Sequence, residues 1–213
     1  MDIILFGMQG SGKGTQGKIL AERYGLKIFD MGSELRKMIE AGTPLGEKLK
    51  HIVESGNLVD DDTIMEVVES FLGQTTASQS VLFDGIPRTL EQGKRLTAVL
   101  EKHSRQVFAL FIKLSEEEAI KRLTQRRVCA QCKEIYPAFY KEDNCAKCGG
   151  VLITRKDDSN LDSIKTRINH YQNETQPVIN HFYSIDHLIE VDGEQSIPDV
   201  TEEMIDKANY LFS

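Results

Sequence analysis

The sequence of 213 residues is long enough for one α/β domain with insertions, or for two small domains, without disulfides to hold a core. Apolar residues make up 40% and charged residues 28%, and the net charge of −7 excludes a surface built to coat nucleic acid. No apolar run approaches the roughly 20 residues of a membrane span, so no membrane partner is expected.

Predicted strands alternate with predicted helices along the chain. A short apolar strand at residues 3–6 leads through a glycine-rich stretch into a helix over 13–24, which Gly25 ends. The later predicted elements are two short helices within 33–55, a helix opened by Asp60-Asp61-Asp62 that runs to about 72, a strand at 81–83, a helix over 90–102, a strand at 107–114, a helix from 115 to about 127, a long helix over 161–183, a strand at 188–191 and a helix ending near 211. This alternation predicts a doubly wound parallel sheet with helices on both faces.

The N-terminus and the cysteines bear on the compartment. The chain begins with Met-Asp-Ile-Ile-Leu-Phe-Gly, which lacks the basic start and cleavage site of a signal peptide, so no leader is expected. The four cysteines are then more typical of metal ligands than of disulfides. We therefore expect a cytoplasmic protein.

A glycine-rich loop follows the first predicted strand and opens the first predicted helix. Gly7, Gly12 and Lys13 have the spacing of a G-x-x-x-x-G-K phosphate-binding loop. The glycines let backbone N–H groups turn toward an anion, the helix N-terminus adds a favourable field, and Lys13 supplies a charge for the outer phosphates. Asp84 ends the strand predicted at 81–83, where a carboxylate of this architecture holds Mg²⁺. The pattern predicts a P-loop fold that binds Mg·ATP.

All four cysteines fall in two Cys-x-x-Cys pairs, Cys129 with Cys132 and Cys145 with Cys148, 12 residues apart. Four thiolates give a closed tetrahedral site, which is typical of structural zinc. A redox dithiol or a disulfide pair is the alternative. A segment of about 30 residues cannot bury enough apolar surface to hold its own shape, so metal binding would supply its folding energy.

The ordered set of motifs resembles adenylate kinases, within the nucleoside monophosphate kinase family. The motifs are Gly14-Thr15, Met31-Gly-Ser-Glu-Leu-Arg36, Gly56-Asn-Leu-Val59, Asp84-Gly-Ile-Pro-Arg-Thr89 with Gln92, Arg126-Arg-Val, Thr154-Arg-Lys-Asp-Asp158 and Arg167. The resemblance covers almost the whole chain and implies the long form with a full lid. It implies a core of residues 1–29, 60–121 and 160–213, a small helical acceptor-binding insertion at 30–59 and a four-cysteine zinc lid at 122–159.

The resemblance also implies the site residues. Those implied in catalysis are Lys13, Asp84, Arg88, Arg126, Arg155 and Arg167. Those implied to bind ATP are Gly10, Ser11, Gly12, Lys13, Gly14, Thr15, Arg122, Arg126, Ile135, Tyr136 and Gln195. Those implied to bind AMP are Met31, Arg36, Asn57, Leu58, Val59, Gly85, Ile86, Pro87, Arg88, Gln92, Arg155 and Arg167.

Three residues depart from the family pattern. Met31 stands where a small hydroxyl residue is usual beside the adenine, and it exchanges a hydrogen bond for soft apolar contact with the base. Ser33 stands where an acidic residue is common, and Gln9 replaces the usual proline of the phosphate-binding loop. These changes leave the phosphate chemistry intact and leave the choice of acceptor base open.

The implied reaction is transfer of the terminal phosphoryl group of Mg·ATP to AMP, which gives two ADP. One alternative is a kinase of the same fold that acts on UMP, CMP or GMP, although Gln92 favours adenine. A second is a zinc-ribbon nucleic-acid-binding ATPase, because four-cysteine ribbons with basic flanks often bind nucleic acid; the acidic total charge argues against such a partner. A monomer is expected, since both insertions must be free to close.

Overall fold

Strands and helices alternate through the computed structural model, which describes residues 1–211. The strands in this range are β1 (Asp2–Gly7), β2 (Lys27–Asp30), β3 (Val81–Asp84), β4 (Val107–Lys113), β5 (Arg127–Cys129), β6 (Ile135–Tyr136), β7 (Leu152–Thr154) and β8 (Leu188–Asp192). The helices are α1 (Lys13–Tyr24), α2 (Met31–Glu40), α3 (Pro44–Glu54), α4 (Asp61–Gly73), α5 (Leu90–Lys102), α6 (Glu116–Gln125), α7 (Leu161–His170), α8 (Gln176–Ser184) and α9 (Ile197–Ala208). The last two residues of the predicted core segment 160–213 lie outside the described range.

Five strands form one parallel sheet in the order β2-β3-β1-β4-β8. The central strand β1 is buried along its whole length, as expected for a strand covered on both faces. Ile3 and Leu5 pack in the hydrophobic cluster that includes side chains of α1 and α9, whereas Ile4 and Phe6 pack in the cluster that includes α4, α5, α7 and α8. The predicted doubly wound α/β fold is therefore confirmed.

Side-chain caps begin several of these helices where the sequence predicts them. The Asp60 carboxylate accepts a hydrogen bond from the backbone N–H of Thr63, and the Ser115 hydroxyl accepts one from Glu118. Gly25 ends α1 in the left-handed conformation. Within residues 1–211, no helix has the length and apolar character needed to cross a bilayer.

The structure differs from the sequence prediction at several elements. Strand β2 was not predicted, because it is a four-residue edge strand in which only Phe29 is buried, so it lacks a continuous apolar run. Helix α6 ends at Gln125 rather than near residue 127, since Arg126 adopts an extended conformation. The predicted long helix over 161–183 is α7 and α8 joined by a π-helical turn at Tyr171–Thr175.

Residues 127–154 contain a small antiparallel sheet that the sequence also did not predict. Its order is β6-β5-β7, and its strands have only two or three residues each. The buried residues of this unit are Cys129, Tyr136, Cys145 and Leu152, against which Tyr140 packs. So small a core cannot hold its own fold, and the cysteines within it are placed to cross-link the unit through a bound metal.

An ion pair is buried at the amino-terminal edge of the large sheet. Arg105 Nε lies 2.6 Å from Asp2 Oδ2, with 7% and 3% of the two side chains exposed. The other carboxylate oxygen of Asp2 accepts a hydrogen bond of 2.8 Å from the backbone N–H of Val81. The pair therefore ties β1 to β3 and to the turn before β4, far from the carboxyl ends of the strands.

Candidate active site

A cleft of about 830 Å³ lies over the carboxyl ends of the central strands. Gly7, Asp30 and Asp84, which end β1, β2 and β3, all contribute to its lining. In a parallel sheet this edge is where ligands bind. Every residue that the sequence analysis assigned to ATP, AMP or catalysis lines the cleft, whereas the four cysteines lie outside its lining.

The loop from Gly7 to Thr15, hereafter the phosphate loop, is held open by glycine conformations. Gly10 and Gly12 have φ of 90° and 95°, a region that favours glycine. A Cβ on Gly12 would meet no atom within 4 Å, so the loop faces open space at this point. Gln9 Oε1 and Ser11 Oγ are buried and make no hydrogen bond within the described residues. The unpaired Ser11 hydroxyl can donate a hydrogen bond, and its place beside a helix N-terminus fits a bound anion.

Lys13 lies in the phosphate loop with its amine at the end of β1. Its Nζ donates hydrogen bonds to the carbonyl oxygens of Gly7, at 2.6 Å, and Met8, at 3.0 Å. Burial lowers the pKa of Lys13 to about 8, although the nearby Asp84 carboxylate opposes this change. Burial likewise raises the pKa of Asp84, and Lys13 opposes it. Each buried charge thus depends on the other and gains from a further counter-ion.

Three arginines from the lid segment and α7 share two neighbouring carboxylates. Arg155 forms a two-point contact with Asp157, with Nε and Nη2 each 2.6 Å from one carboxylate oxygen. Arg126 Nε donates to Asp158 Oδ2 at 2.7 Å, and Arg167 Nη1 donates to Asp158 Oδ1 at 2.8 Å. The Asp158 side chain is fully buried. The two carboxylates therefore fix the three guanidinium groups beside the cleft.

The arginines around the cleft repel one another. Two effects lower the pKa of both Arg36 and Arg126. The larger is burial, and the second is repulsion from Arg155. Burial, followed by repulsion from Arg167, lowers the pKa of Arg88. These five residues, hereafter the arginine cluster, hold more positive charge than the nearby carboxylates neutralise. The arrangement is suited to an anionic ligand with several charges, such as a chain of phosphates.

Sequence reasoning did not assign roles to the acidic residues that hold these arginines. Asp157 and Asp158 entered only as members of the Thr154-Arg-Lys-Asp-Asp158 motif. Burial would raise the pKa of Asp157, but Arg155 and Arg167 together bring it below its ordinary value. A pair of adjacent aspartates next to a candidate phosphate-binding arginine was the signal that could have identified them.

The acceptor end of the cleft shows how the departure at Ser33 is accommodated. Arg36 Nη2 donates to Ser33 Oγ at 2.8 Å and lies 3.6 Å from Asp30 Oδ2, and the Ser33 hydroxyl itself hydrogen-bonds Asp30. Asp30 thus supplies the carboxylate that Ser33 lacks. Arg88 Nε donates to the carbonyl oxygen of Gly85 at 2.9 Å, which directs a second guanidinium into the same region.

Next to these arginines the cleft has an apolar wall. Its members are Met31, Leu35, Val53, Leu58, Val59 and Ile64. Met31 is 1% exposed and packs in the main hydrophobic cluster, so its side chain forms the base of this apolar surface. Gln92 is the polar side chain in this region of the lining, and Asn57 stands at its exposed rim.

The remaining predicted ATP contacts lie at the opposite end of the cleft. Arg122 Nε donates to Glu118 Oε1 at 2.9 Å, and Gln195 Nε2 donates to Glu203 Oε2 at 2.6 Å. Ile135 is 39% exposed in the edge strand β6. Tyr136 is instead mostly in the lid core, where its hydroxyl lies 3.1 Å from Cys145 Sγ. The structure brings these four residues to one end, with Tyr136 engaged mainly inside the lid.

The four cysteine sulfurs meet within 4.8 Å of one another. Cys129 Sγ lies 3.5 Å from Cys148 Sγ, and Cys132 Sγ lies 3.5 Å from Cys145 Sγ. A disulfide would need about 2.05 Å, whereas a tetrahedral zinc with Zn–S bonds of about 2.3 Å separates its sulfurs by roughly 3.8 Å. A Cβ on Gly150 would lie 3.0 Å from Cys129 Sγ, so this glycine leaves room for the thiolate. The donor set fits structural zinc.

Two surface salt bridges connect the lid to the rest of the molecule. Lys18 Nζ of α1 lies 2.7 Å from Glu134 Oε1, and Lys133 Nζ lies 3.9 Å from Glu40 Oε1 of α2. Both lysine side chains are more than half exposed. Exposed pairs of this kind contribute at most about 1 kcal/mol. These two contacts therefore tie the segment of β5 to β7 only weakly to α1 and α2.

Comparison with known proteins places this cleft in a family. The family model described as adenylate kinase matches residues 5–187. The chain is 38% identical to an adenylate kinase of Kosmotoga olearia, covering 99% of this chain and 100% of that protein. It is 36% identical to an adenylate kinase of Archaeoglobus fulgidus, covering 96% of each chain, and 37% identical to one of Novosphingobium aromaticivorans, covering 94% and 95%. The chain belongs to the adenylate kinase family.

Proposed function

We propose that this protein catalyses the reversible transfer of the terminal phosphoryl group of ATP to AMP, with two molecules of ADP as products. The observation that carries the proposal is the meeting of a phosphate loop and five arginines in one cleft of a chain of this family. Family membership does not favour a nucleic-acid-binding ATPase or a kinase for another nucleoside monophosphate.

The protein acts on the phosphates by position and charge. The phosphate loop and Lys13 bind the phosphates of ATP, while Arg36 and Arg88 bind the phosphate of AMP. Arg126, Arg155 and Arg167 surround the group that moves between them. The attacking oxygen belongs to a phosphate that is already an anion, so no side chain has to remove a proton. Fixed guanidinium groups stabilise the charge of the transition state because they need no reorganisation during transfer.

Magnesium fits the half-buried carboxylate of Asp84 at the end of β3. Burial raises the pKa of Asp84, so a cation beside this carboxylate relieves the cost of its charge. Asp84 would hold the ion, directly or through water, next to Lys13. The ion would neutralise charge on the phosphates of ATP. Positioning the nucleotides and excluding water remain tasks of the protein's own residues.

The division of the chain into moving parts supports the same reaction. We propose a core of residues 1–29, 60–121 and 160–213, an acceptor-binding insertion at 30–59 and a zinc-stapled lid at 122–159. Arg36 lies in the insertion, Arg126 and Arg155 lie in the lid, and Arg88 and Arg167 lie in the core. Closure therefore brings the arginines of the lid and the insertion onto the bound nucleotides, and it keeps water from the phosphoryl group.

The proposal also covers the oligomeric state, the cellular compartment and the metal of the protein. A monomer suits two segments that must close freely over one cleft. The cysteines are free thiols rather than disulfides, which supports the cytoplasm as the compartment. Zinc is the metal we propose for the four thiolates, since they form a closed site without an open position for chemistry.

A coupled assay with Mg·ATP and each nucleoside monophosphate tests the proposed reaction. We expect turnover with AMP to exceed that with GMP, CMP or UMP by about 100-fold or more, because unpaired buried polar groups penalise the wrong base. A preference for another monophosphate would move the function to a sister kinase. Bound ATP without transfer to any acceptor would contradict the proposal.

Lys13 makes ATP binding depend on pH. With a pKa of about 8, roughly three quarters of the Lys13 amines are neutral at about pH 8.5 in the free protein. The phosphates of ATP favour the charged amine, so binding should take up about 0.7 proton at that pH and less as the pH falls toward 7. Calorimetry of Mg·ATP binding in buffers of different ionisation enthalpy measures this uptake. Lys13→Arg stays charged, and an uptake in that variant equal to the wild type would refute the assignment.

Removal of the metal tests the lid. Purified protein is expected to carry one zinc per chain by elemental mass spectrometry, and Cys132→Ser or Cys145→Ser to lose it. Because the lid core is too small to fold alone, chelation should expose the lid to proteolysis and abolish transfer to AMP, while the phosphate loop still binds ATP. A metal-free protein with an intact lid and unchanged turnover would contradict the structural role.

A further inference from the structure

Gln92 lines the cleft beside the apolar wall, although its side chain is already hydrogen-bonded on both sides. Its Oε1 accepts a hydrogen bond of 2.7 Å from the backbone N–H of Arg88. Its Nε2 donates one of 2.8 Å to Asp61 Oδ1. Only 2% of the residue is exposed, so the surroundings rather than solvent determine how the amide is oriented. This network is not explained by the phosphate chemistry.

Asp61 is itself held in place at the start of α4. The Thr89 hydroxyl lies 3.3 Å and 3.4 Å from the two carboxylate oxygens and donates toward them. The same hydroxyl accepts a hydrogen bond of 3.1 Å from the backbone N–H of Gln92 and caps α5. Within the described residues, Asp61 is not part of the cleft lining. It therefore acts on a ligand only through Gln92.

The two partners leave the Gln92 amide a single orientation. A backbone N–H can only donate and a carboxylate can only accept. If the amide rotated by half a turn, its NH₂ would face the Arg88 N–H and its oxygen would face the Asp61 carboxylate. Such an arrangement leaves buried groups unpaired, and this is costly. In the observed orientation one lone pair of Oε1 and one N–H of Nε2 remain for a ligand.

The free acceptor site on Gln92 Oε1 and the free N–H on its Nε2 match one class of purine. Adenine presents a 6-amino donor next to the N1 acceptor, which complements an Oε1 acceptor next to an Nε2 donor. Hypoxanthine and guanine present a 6-oxo acceptor next to an N1–H donor, which is the reverse order. We propose that Asp61 is a specificity-determining positioning residue, which selects 6-amino over 6-oxo purine monophosphates by fixing the orientation of the Gln92 amide. The inference rests on the proposed function and names the residue behind its choice of base.

Inosine monophosphate is the sharpest probe, because it reverses the hydrogen-bonding order without adding the 2-amino group of guanine. Initial rates with Mg·ATP and either AMP or inosine monophosphate give the two kcat/KM values. Asp61→Asn keeps the shape of the side chain, but its amide can donate to Gln92 Oε1, so only the Arg88 N–H still opposes the rotated orientation. We expect the preference for AMP to fall roughly tenfold, with a several-fold rise in KM for AMP and an unchanged KM for ATP.

The neighbouring Asp62 provides a matched control. It precedes Thr63 on the same first turn of α4, its side chain is 86% exposed, and it pairs with Arg95 at 2.7 Å. Asp62→Asn makes the same change of charge without touching Gln92, and its preference for AMP should equal that of the wild type. An unchanged preference in Asp61→Asn, or an equal loss in Asp62→Asn, would overturn the proposal.

A second background keeps the test informative if Asp61→Asn is unstable. Gln92→Leu removes the amide, so the preference should fall in that variant, and Asp61→Asn should lower it no further. A further fall in the double variant would show that Asp61 acts by another route and would reject the proposal. Absence of transfer from ATP to AMP in the folded wild type would instead reject the proposed function, so the two failures are distinguishable.

Discussion

Repulsion among the arginines around the cleft is the constraint on which the rest of this structure depends. Arg36, Arg88 and Arg126 each lose part of their preference for the charged state, through burial and through the arginines beside them. Asp157 and Asp158 hold the cluster together without neutralising it. A polyphosphate is the partner that relieves this repulsion, so the ligand-free protein stores part of the free energy that binding and transfer release. Stability at the cleft is given up for this chemistry.

The arginines of this cleft come from separate parts of the chain. The parallel sheet ends at the cleft beside Arg88, while Arg36 belongs to α2, and Arg126 and Arg155 flank strands β5 and β7 of the small sheet. The lid can move as a unit only if it is stiff, and its core of four buried residues is too small to make it so. A metal held by the four thiolates would supply the missing stiffness. The exposed salt bridges of Lys18 and Lys133 are weak enough for the lid to open again.

The sequence predicted those parts of the protein whose structure is determined by residues close together along the chain. The phosphate loop, the cap at Asp60 and the cysteine pairs are short motifs whose geometry is determined within a few residues. Strand β2 escaped prediction because its backbone pairing with β3, rather than its own apolar pattern, defines it. Two contacts appear only when the chain is folded. Asp30 supplies Arg36 with the carboxylate that Ser33 lacks, and Asp61 hydrogen-bonds Gln92. Tertiary proximity carries this information, and a single sequence does not display it.

The stability of ligand-free Arg88→Met tests the central claim most directly. Arg88 hydrogen-bonds a carbonyl oxygen and is repelled by Arg167, so its loss should leave the Tm unchanged or higher while turnover with AMP falls about 100-fold or more. Arg105→Met is the matched control, because it strips the buried Asp2 carboxylate of its partner and should cost about 3 to 5 kcal/mol. A raised or equal Tm with lost activity would support an arginine cluster under electrostatic strain. A Tm lowered as far as in Arg105→Met, or activity retained, would contradict it.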